Sequence, residues 1–288
     1  MMEMLRAIYI IWYRELLRFV RERSRMFSAL AMPLLFLVIF GAGFKNLVGN
    51  LAGGVDFVTF MYPGIVAMSV LMTAFMSGMS IVWDREFGFL REVLVAPIPR
   101  MGVALGKTLG GATVAMLQGC LLLFLAPVVG VALTPIKVAL LLPMLLVVAL
   151  AIASLGVLIA SRMRSMQAFQ FLMTLVFFPM TFLSGVFFPV TNLPPWLMLV
   201  VRVNPVTYGV DAIRQLFLQG MTLPAVNPSL GINPTLGALG ASPGKDAPYA
   251  LAVTLFGHPM TMLQDMGVVA LFGAVVLSLA VWSFNRQD

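Results

Sequence analysis

Six long apolar runs, each without a charged residue, constrain this 288-residue chain more than any motif in it. They cover residues 27–44, 57–83, 108–133, 138–160, 166–189 and 266–284. A bilayer-spanning helix takes about 20 apolar residues. In hydrocarbon every backbone N–H and C=O must also be satisfied within the segment. The runs are therefore expected to be six transmembrane helices of an all-α polytopic membrane protein, with residues 1–288 forming one domain. Composition agrees, since 61% of residues are hydrophobic and 10% charged, against about 25% charged in soluble domains. Six spans leave no room for an ordinary soluble catalytic domain, so any energy source is expected on another chain. The first run follows 26 residues of charged sequence and precedes no small-residue cleavage site, so it reads as retained and not as a signal peptide.

The basic residues orient the spans. Alternating sides receive thirteen and five Lys or Arg, the richer side holding Arg6, Arg14, Arg85, Lys107, Arg162 and Arg286 among others. The positive-inside rule puts that side, and both termini, in the cytoplasm of a cell (inner) membrane. The net charge of +7 is then a topological signal, and no nucleic-acid partner is expected.

Two segments outside the spans stand out. Residues 1–26 are amphipathic at helical spacing, with Leu5, Ile8, Tyr9, Trp12, Leu16 and Phe19 on one face and Arg14, Arg18, Arg21 and Arg25 on the opposite one. This pattern predicts a cytoplasmic interfacial helix, its arginines toward lipid headgroups or a partner. Residues 190–265 are expected on the extracytoplasmic side. Their first part, apolar from Trp196 to Val201 but too short to span, predicts a re-entrant or interfacial helical hairpin, followed by a Pro- and Gly-rich loop over 222–259.

Chemistry on this chain is scarce. One cysteine, Cys120, and one histidine, His258, exclude a disulfide framework and a His-rich metal site. Gly102 to Thr108 imitates a phosphate loop, but only three residues separate Gly102 from Gly106 where four are required. Gly102, Gly106 and Gly110 recur every four residues instead, which suits close packing of another helix, with Lys107 at the membrane boundary. An integral-membrane lipid-modifying enzyme would have to draw on Asp211, Asp246, His258 and Asp265. A purely structural assembly factor is the third class.

The loop over 84–107 begins Asp84, Arg85, Glu86, Phe87 and continues through Leu90, Arg91, Glu92 and Leu94 to Pro97. Phe87, Leu90 and Leu94 share a helical face, with Arg85 and Glu92 on another, as a peg for a cytoplasmic partner requires. An ordinary interfacial helix explains the same spacing. In the second run, Ser69, Thr73, Ser77 and Ser80 line one face and Met68, Met72, Met76 and Met79 the next. With Gln167 and Gln170 they are candidate pathway residues, although hydroxyls bonded to their own helix and core methionines account for them as well. Gln118 is a further intramembrane polar group.

The sequence from Phe182 to Pro189, then Asn192 to Trp196, then Asn204, Pro205, Tyr208 and Arg214 resembles the signature of type-2 ABC transporter permeases of the drug and lipo-oligosaccharide exporter group. The amphipathic N-terminus, the loop from Trp83 to Pro97 and the six-span order extend the likeness over nearly the whole chain. The resemblance implies that the N-terminal helix and the residues from Asp84 to Leu94 contact an ABC ATP-binding subunit, the latter as a coupling helix. It also implies that Pro189, Asn192, Pro194, Trp196, Asn204, Pro205, Tyr208 and Arg214 belong to an outer gate hairpin. ATP and Mg would sit on two copies of that partner, with no cofactor on this chain. Six spans are few to enclose a path, so a homodimer embedded in membrane lipids is the economical assembly. Four Trp and five Tyr against 22 Phe and 22 Met favour a lipid-like or drug-like substrate. Export or flipping of a glycolipid or polysaccharide is the alternative.

Overall fold

The computed structural model describes residues 2–48, 57–87, 100–129, 131, 133–187, 194–218, 254–255 and 258–285. In chain order the helices are α1 (Met2–Arg21), α2 (Arg23–Val48), α3 (Phe57–Met76), α4 (Met79–Glu86), α5 (Arg100–Leu125), α6 (Pro135–Arg162), α7 (Met166–Phe182), α8 (Pro195–Val203), α9 (Pro205–Leu218) and α10 (Met262–Asn285). Among the described residues the one strand pairing is antiparallel, Thr254–Leu255 with His258–Pro259. Among the described residues four stretches are long and apolar enough to cross a membrane: Met61–Glu86, Arg100–Val128, Pro135–Arg162 and Met262–Asn285. Met26–Ile39 and Met166–Phe182 are shorter apolar helices.

Local chemistry sets the ends of these helices. Pro135 occupies the first turn of α6, where its missing N–H costs nothing. Ser165 caps α7, its hydroxyl accepting from the Ala168 N–H at 3.2 Å. At its other end α7 stops at Phe182, short of the expected Pro189. The chain turns there through Gly185 at φ 82°, a left-handed conformation natural to glycine. Helix α5 starts at Arg100, eight residues before the run beginning at Thr108, so the segment 84–107 is not one loop.

The second run is also discontinuous. At Ser77 and Gly78 the ladder tightens, with the Ser77 N–H shared between Thr73 and Ala74 carbonyls and the Gly78 N–H reaching Phe75. The Ser77 hydroxyl donates to the Ala74 carbonyl at 2.7 Å, a local bond that bends helices. Neighbours hold the break in place. A Cβ on Gly78 would strike the Gly156 carbonyl of α6, one on Gly156 the Phe75 carbonyl, and one on Gly111 the Ser77 side chain. Backbone meets backbone here, as small residues allow between apolar helices.

Helix α6 lies at the centre, against α3, α5 and α10. Phe75 packs with Phe169 and Phe177 of α7 at centroid distances of 5.9 and 5.5 Å. The bundle has two distinct ends. Arg85, Lys107, Arg162 and the C-terminal turn of α10 share one, called the basic end below. The α8–α9 pair, Lys137 and the start of α10 share the other, the hairpin end.

Candidate functional site

At the basic end an ion-pair network joins three elements. The Lys107 ammonium of α5, 2% exposed, donates to Glu15 Oε1 of α1 at 2.7 Å, Asp84 Oδ2 of α4 at 2.7 Å and Ser80 Oγ at 2.9 Å. An ammonium has three protons, and all three are used. Arg14 of α1 adds a second cation on Asp84 Oδ2 at 2.9 Å. Lys107 sits at the basic end with its charge buried, and that burial is tolerable because two carboxylates meet it.

Helix α1 packs along α5 on the glycine ladder. A Cβ at Gly102 would meet Ala7, one at Gly106 would meet Ile11, and one at Gly110 would meet Glu15. The four-residue spacing thus does seat another helix, and that helix is α1, running parallel to α5. The Trp12 indole adds a bond to Thr113 Oγ1 at 3.0 Å. The buried face of α1 differs from the amphipathic expectation. Ala7 and Phe19 are buried, whereas Leu5 and Tyr9 are exposed together with Ile10 and Tyr13. The face is rotated because glycines, not bulk lipid, select which side chains fit.

The arginines of α1 part company accordingly. Arg14 turns inward to Asp84, Arg18 lies over the Trp83 ring at 5.9 Å, and Arg21 is exposed. The Arg25 side chain lies outside the described residues. Of the coupling segment, Arg85 donates to the Met163 and Ser161 carbonyls at 2.6 and 3.1 Å, closing the C-terminal end of α6. Glu86 accepts from the Met166 N–H at 3.1 Å. Phe87 is 69% exposed. Leu90, Arg91, Glu92 and Leu94 lie outside the described residues, so the proposed peg is visible only at its root.

The hydroxyl stripe divides between packing and a cavity. Ser69 and Thr73 both bond Gln118 of α5, which glues the two helices together. Thr73, Met76, Ser77 and Ser80 also line a cavity of about 570 Å³ beside the network. Its other walls come from α1 (Glu15, Arg18, Phe19), Glu22 between α1 and α2, the first turns of α2 (Ser24, Ser28) and α5 (Gly111, Val114). Met72 is 42% exposed and not part of the cavity, and Gln167 and Gln170 are exposed on α7. The candidate pathway residues are therefore not brought to one surface of this chain.

The hairpin end is built from different chemistry. Asn204 breaks the chain between α8 and α9, its amide donating to the Met180 carbonyl at 2.7 Å and its oxygen accepting from the Val206 N–H at 3.1 Å. Pro205 then opens α9. The Tyr208 hydroxyl donates to the Arg202 carbonyl at 2.6 Å, and buried Arg214 donates to the carbonyls of Gly185 and Val186 in the turn after α7. Pro194 precedes α8, and Trp196 on it is 69% exposed. Pro189 and Asn192 lie outside the described residues.

Beneath the hairpin, one amide nitrogen serves three acceptors. Gln215 Nε2 lies 3.2 Å from Asp211 Oδ2, 3.1 Å from Asp265 Oδ2 and 3.3 Å from the Met260 carbonyl. The second oxygen of Asp265, in a residue with no exposed surface, has no donor. Asp211 and Asp265 are thus enclosed by protein and do not converge on an open cleft; the His258 side chain and Asp246 lie outside the described residues. Glu15 and Gln215 are functional candidates that residue patterns alone did not raise. Glu15 carried one legible signal: it is an acid on a helix face otherwise matched to glycines of a lysine-bearing helix.

Comparison with known proteins fits this architecture. Residues 6–218, from α1 to the end of α9, match the family model described as ABC-2 type transporter. Nodulation protein J of Rhizobium leguminosarum bv. trifolii is 32% identical over 215 residues, covering 74% of this chain and 79% of that protein. The inner membrane transport permease YadH of Escherichia coli (strain K12) is 29% identical over 233 residues, covering 76% and 86%. A putative transport permease, ycf38 of Cyanophora paradoxa, is 26% identical over 220 residues, covering 74% of each.

Proposed function

We propose, from the premise that this chain belongs to the ABC-2 type transporter family, that it is the permease subunit of an ATP-driven exporter for an amphipathic, lipid-like or drug-like molecule. Membership makes it a multi-pass membrane protein and a transport permease subunit, not an enzyme, and implies an ABC ATP-binding partner. The finer reading adds six spans in the inner membrane with the basic end and both termini in the cytoplasm. It also adds a homodimer, two ATP-binding subunits carrying ATP and Mg, and a re-entrant outer hairpin from α8 and α9.

One observation carries the mechanism. The Lys107 network binds α1, α4 and α5 into a single unit at the end where the basic residues gather. Arg85 and Glu86 extend that unit to α6 and α7. A push delivered near Phe87 by a closing partner reaches five helices through charged bonds a few ångströms long. Directly above, the break at Ser77–Gly78 separates this unit from the rest of α3. Motion is expected to be rigid-body displacement about the break, as packed interfaces move between discrete arrangements.

The test is co-expression with an ABC ATP-binding subunit, followed by ATP hydrolysis and substrate efflux in lipid. Charge reversal at Arg85 and Glu92 together is expected to uncouple hydrolysis from transport while the chain still inserts. If assembly and substrate-stimulated hydrolysis both survive, the coupling role of 84–94 is wrong. Stimulation by a glycolipid but by no simple amphiphile would move the substrate class to the alternative.

A further inference from the structure

The cavity beside the network has a chemistry of its own. At about 570 Å³ it falls within the size range of small-molecule sites. Its apolar wall is Phe19, Met76, Met79 and Val114, and both signs of charge border it, Arg18 against Glu15 and Glu22.

The hydroxyl protons decide what it prefers. Ser28 donates to the Ser24 carbonyl at 2.8 Å, Ser77 to the Ala74 carbonyl, Ser80 to the Ser77 carbonyl at 2.9 Å, and Thr73 to Gln118 Oε1. These hydroxyls have given their protons away and keep lone pairs, one of those on Ser80 already taken by Lys107. With two carboxylates, the polar wall is rich in acceptors and calls for a ligand bearing N–H groups. Arg18 is the cation on that wall, held at the rim by the face of Trp83 at 5.9 Å, and a guanidinium is suited to phosphate. The end of α1 and the start of α2 beside the cavity also carry outward apolar side chains, Val20 at 56% and Phe27 at 75% exposure. Those are surfaces for acyl chains.

We propose that this cavity seats the headgroup of a zwitterionic aminophospholipid of the ethanolamine type, drawn from the leaflet at the basic end. The ammonium takes the Thr73 and Ser77 oxygens on the cavity wall, and the phosphate takes Arg18. A choline headgroup matches the charge but has no N–H to give, and a glycerol headgroup lacks the cation. The leaflet named here rests on the orientation in the reading above; the headgroup chemistry does not.

Native mass spectrometry of the full chain, titrated with phosphatidylethanolamine, phosphatidylcholine and phosphatidylglycerol of identical acyl chains, tests this. Phosphatidylethanolamine is expected to be retained at least about fivefold better than either, roughly what one net hydrogen bond is worth. Arg18→Gln with Ser77→Val should bring retention down to the phosphatidylcholine level. Equal retention of the three lipids by the unaltered chain overturns the proposal without any variant, as does an ethanolamine preference that the double variant leaves intact. Soluble glycerophosphoethanolamine at the same concentration should not displace the lipid; displacement would overturn the membrane source. Loss of ATP-coupled export with lipid retention preserved would sink the transport reading and leave this one standing.

Discussion

The two ends of the bundle bury charge in opposite ways. At the basic end, Lys107 is enclosed with each ammonium proton on an oxygen, and Asp84 receives a second cation from Arg14. At the hairpin end, Asp211 and Asp265 share one amide from Gln215, and an Asp265 oxygen has no donor. The first arrangement is complete, so removing a member exposes the others. In the second, one Asp265 oxygen is buried without a donor, so replacing that acid by a neutral group relieves it. A network that transmits force benefits from the former; an element that changes position tolerates the latter.

The largest effect expected from this contrast comes from Lys107→Met. Glu15 and Asp84 would then keep only the partly exposed Arg14 between them, and losing one partner of a buried pair costs up to about 3–5 kcal/mol. Thermal unfolding in detergent should show it. Gly78→Ala comes next, because the new methyl meets the Gly156 carbonyl, which has nowhere to go; overpacking of this kind costs about 1–3 kcal/mol. Its counterpart near the hairpin end, Gly267→Ala, meets nothing within 4 Å. That change should be neutral or stabilising by up to about 1 kcal/mol, the gain in helix propensity.

Asp265→Asn sets the sign of the comparison. It should not destabilise, and a gain of up to about 1 kcal/mol is expected as an acidic group enclosed beside Asp211 is replaced by a neutral amide of the same shape. A loss as large as that of Lys107→Met would abolish the distinction between the ends. The smallest effect is expected for Arg14→Ala. Its side chain is 39% exposed, and Asp84 keeps Lys107, so the loss should stay below about 1 kcal/mol. High salt should shrink the Arg14 effect further and leave that of Lys107 nearly intact, because screening acts weakly on buried pairs. Stability measured at two ionic strengths separates them.

Much of the fold is legible in the residues. The runs at 138–160 and 266–284 lie within helices long and apolar enough to cross a membrane, those at 57–83 and 108–133 largely overlap two more such stretches, and those at 27–44 and 166–189 lie on or overlap α2 and α7. These are local properties: hydrophobicity and backbone satisfaction are decided within one segment, so the order of residues is enough to read them. The spacing of Gly102, Gly106 and Gly110 likewise announced a close helix contact, since a glycine stripe has that consequence wherever its partner comes from. The asymmetry of basic residues is also a property of the chain alone.

Tertiary structure decided what depends on distances between segments. Nothing in α5 alone says that Lys107 is matched by Glu15, 92 positions earlier, and by Asp84, 23 positions earlier. The same holds for the buried face of α1, which glycines on α5 rotated away from the simple amphipathic reading. The break at Ser77–Gly78 is set by Gly111 and Gly156 on two other helices, and the cavity exists only where α1, α3, α4 and α5 meet. A sequence specifies which groups must be buried, but a charge or a void acquires its partner only when separate helices are brought within a few ångströms.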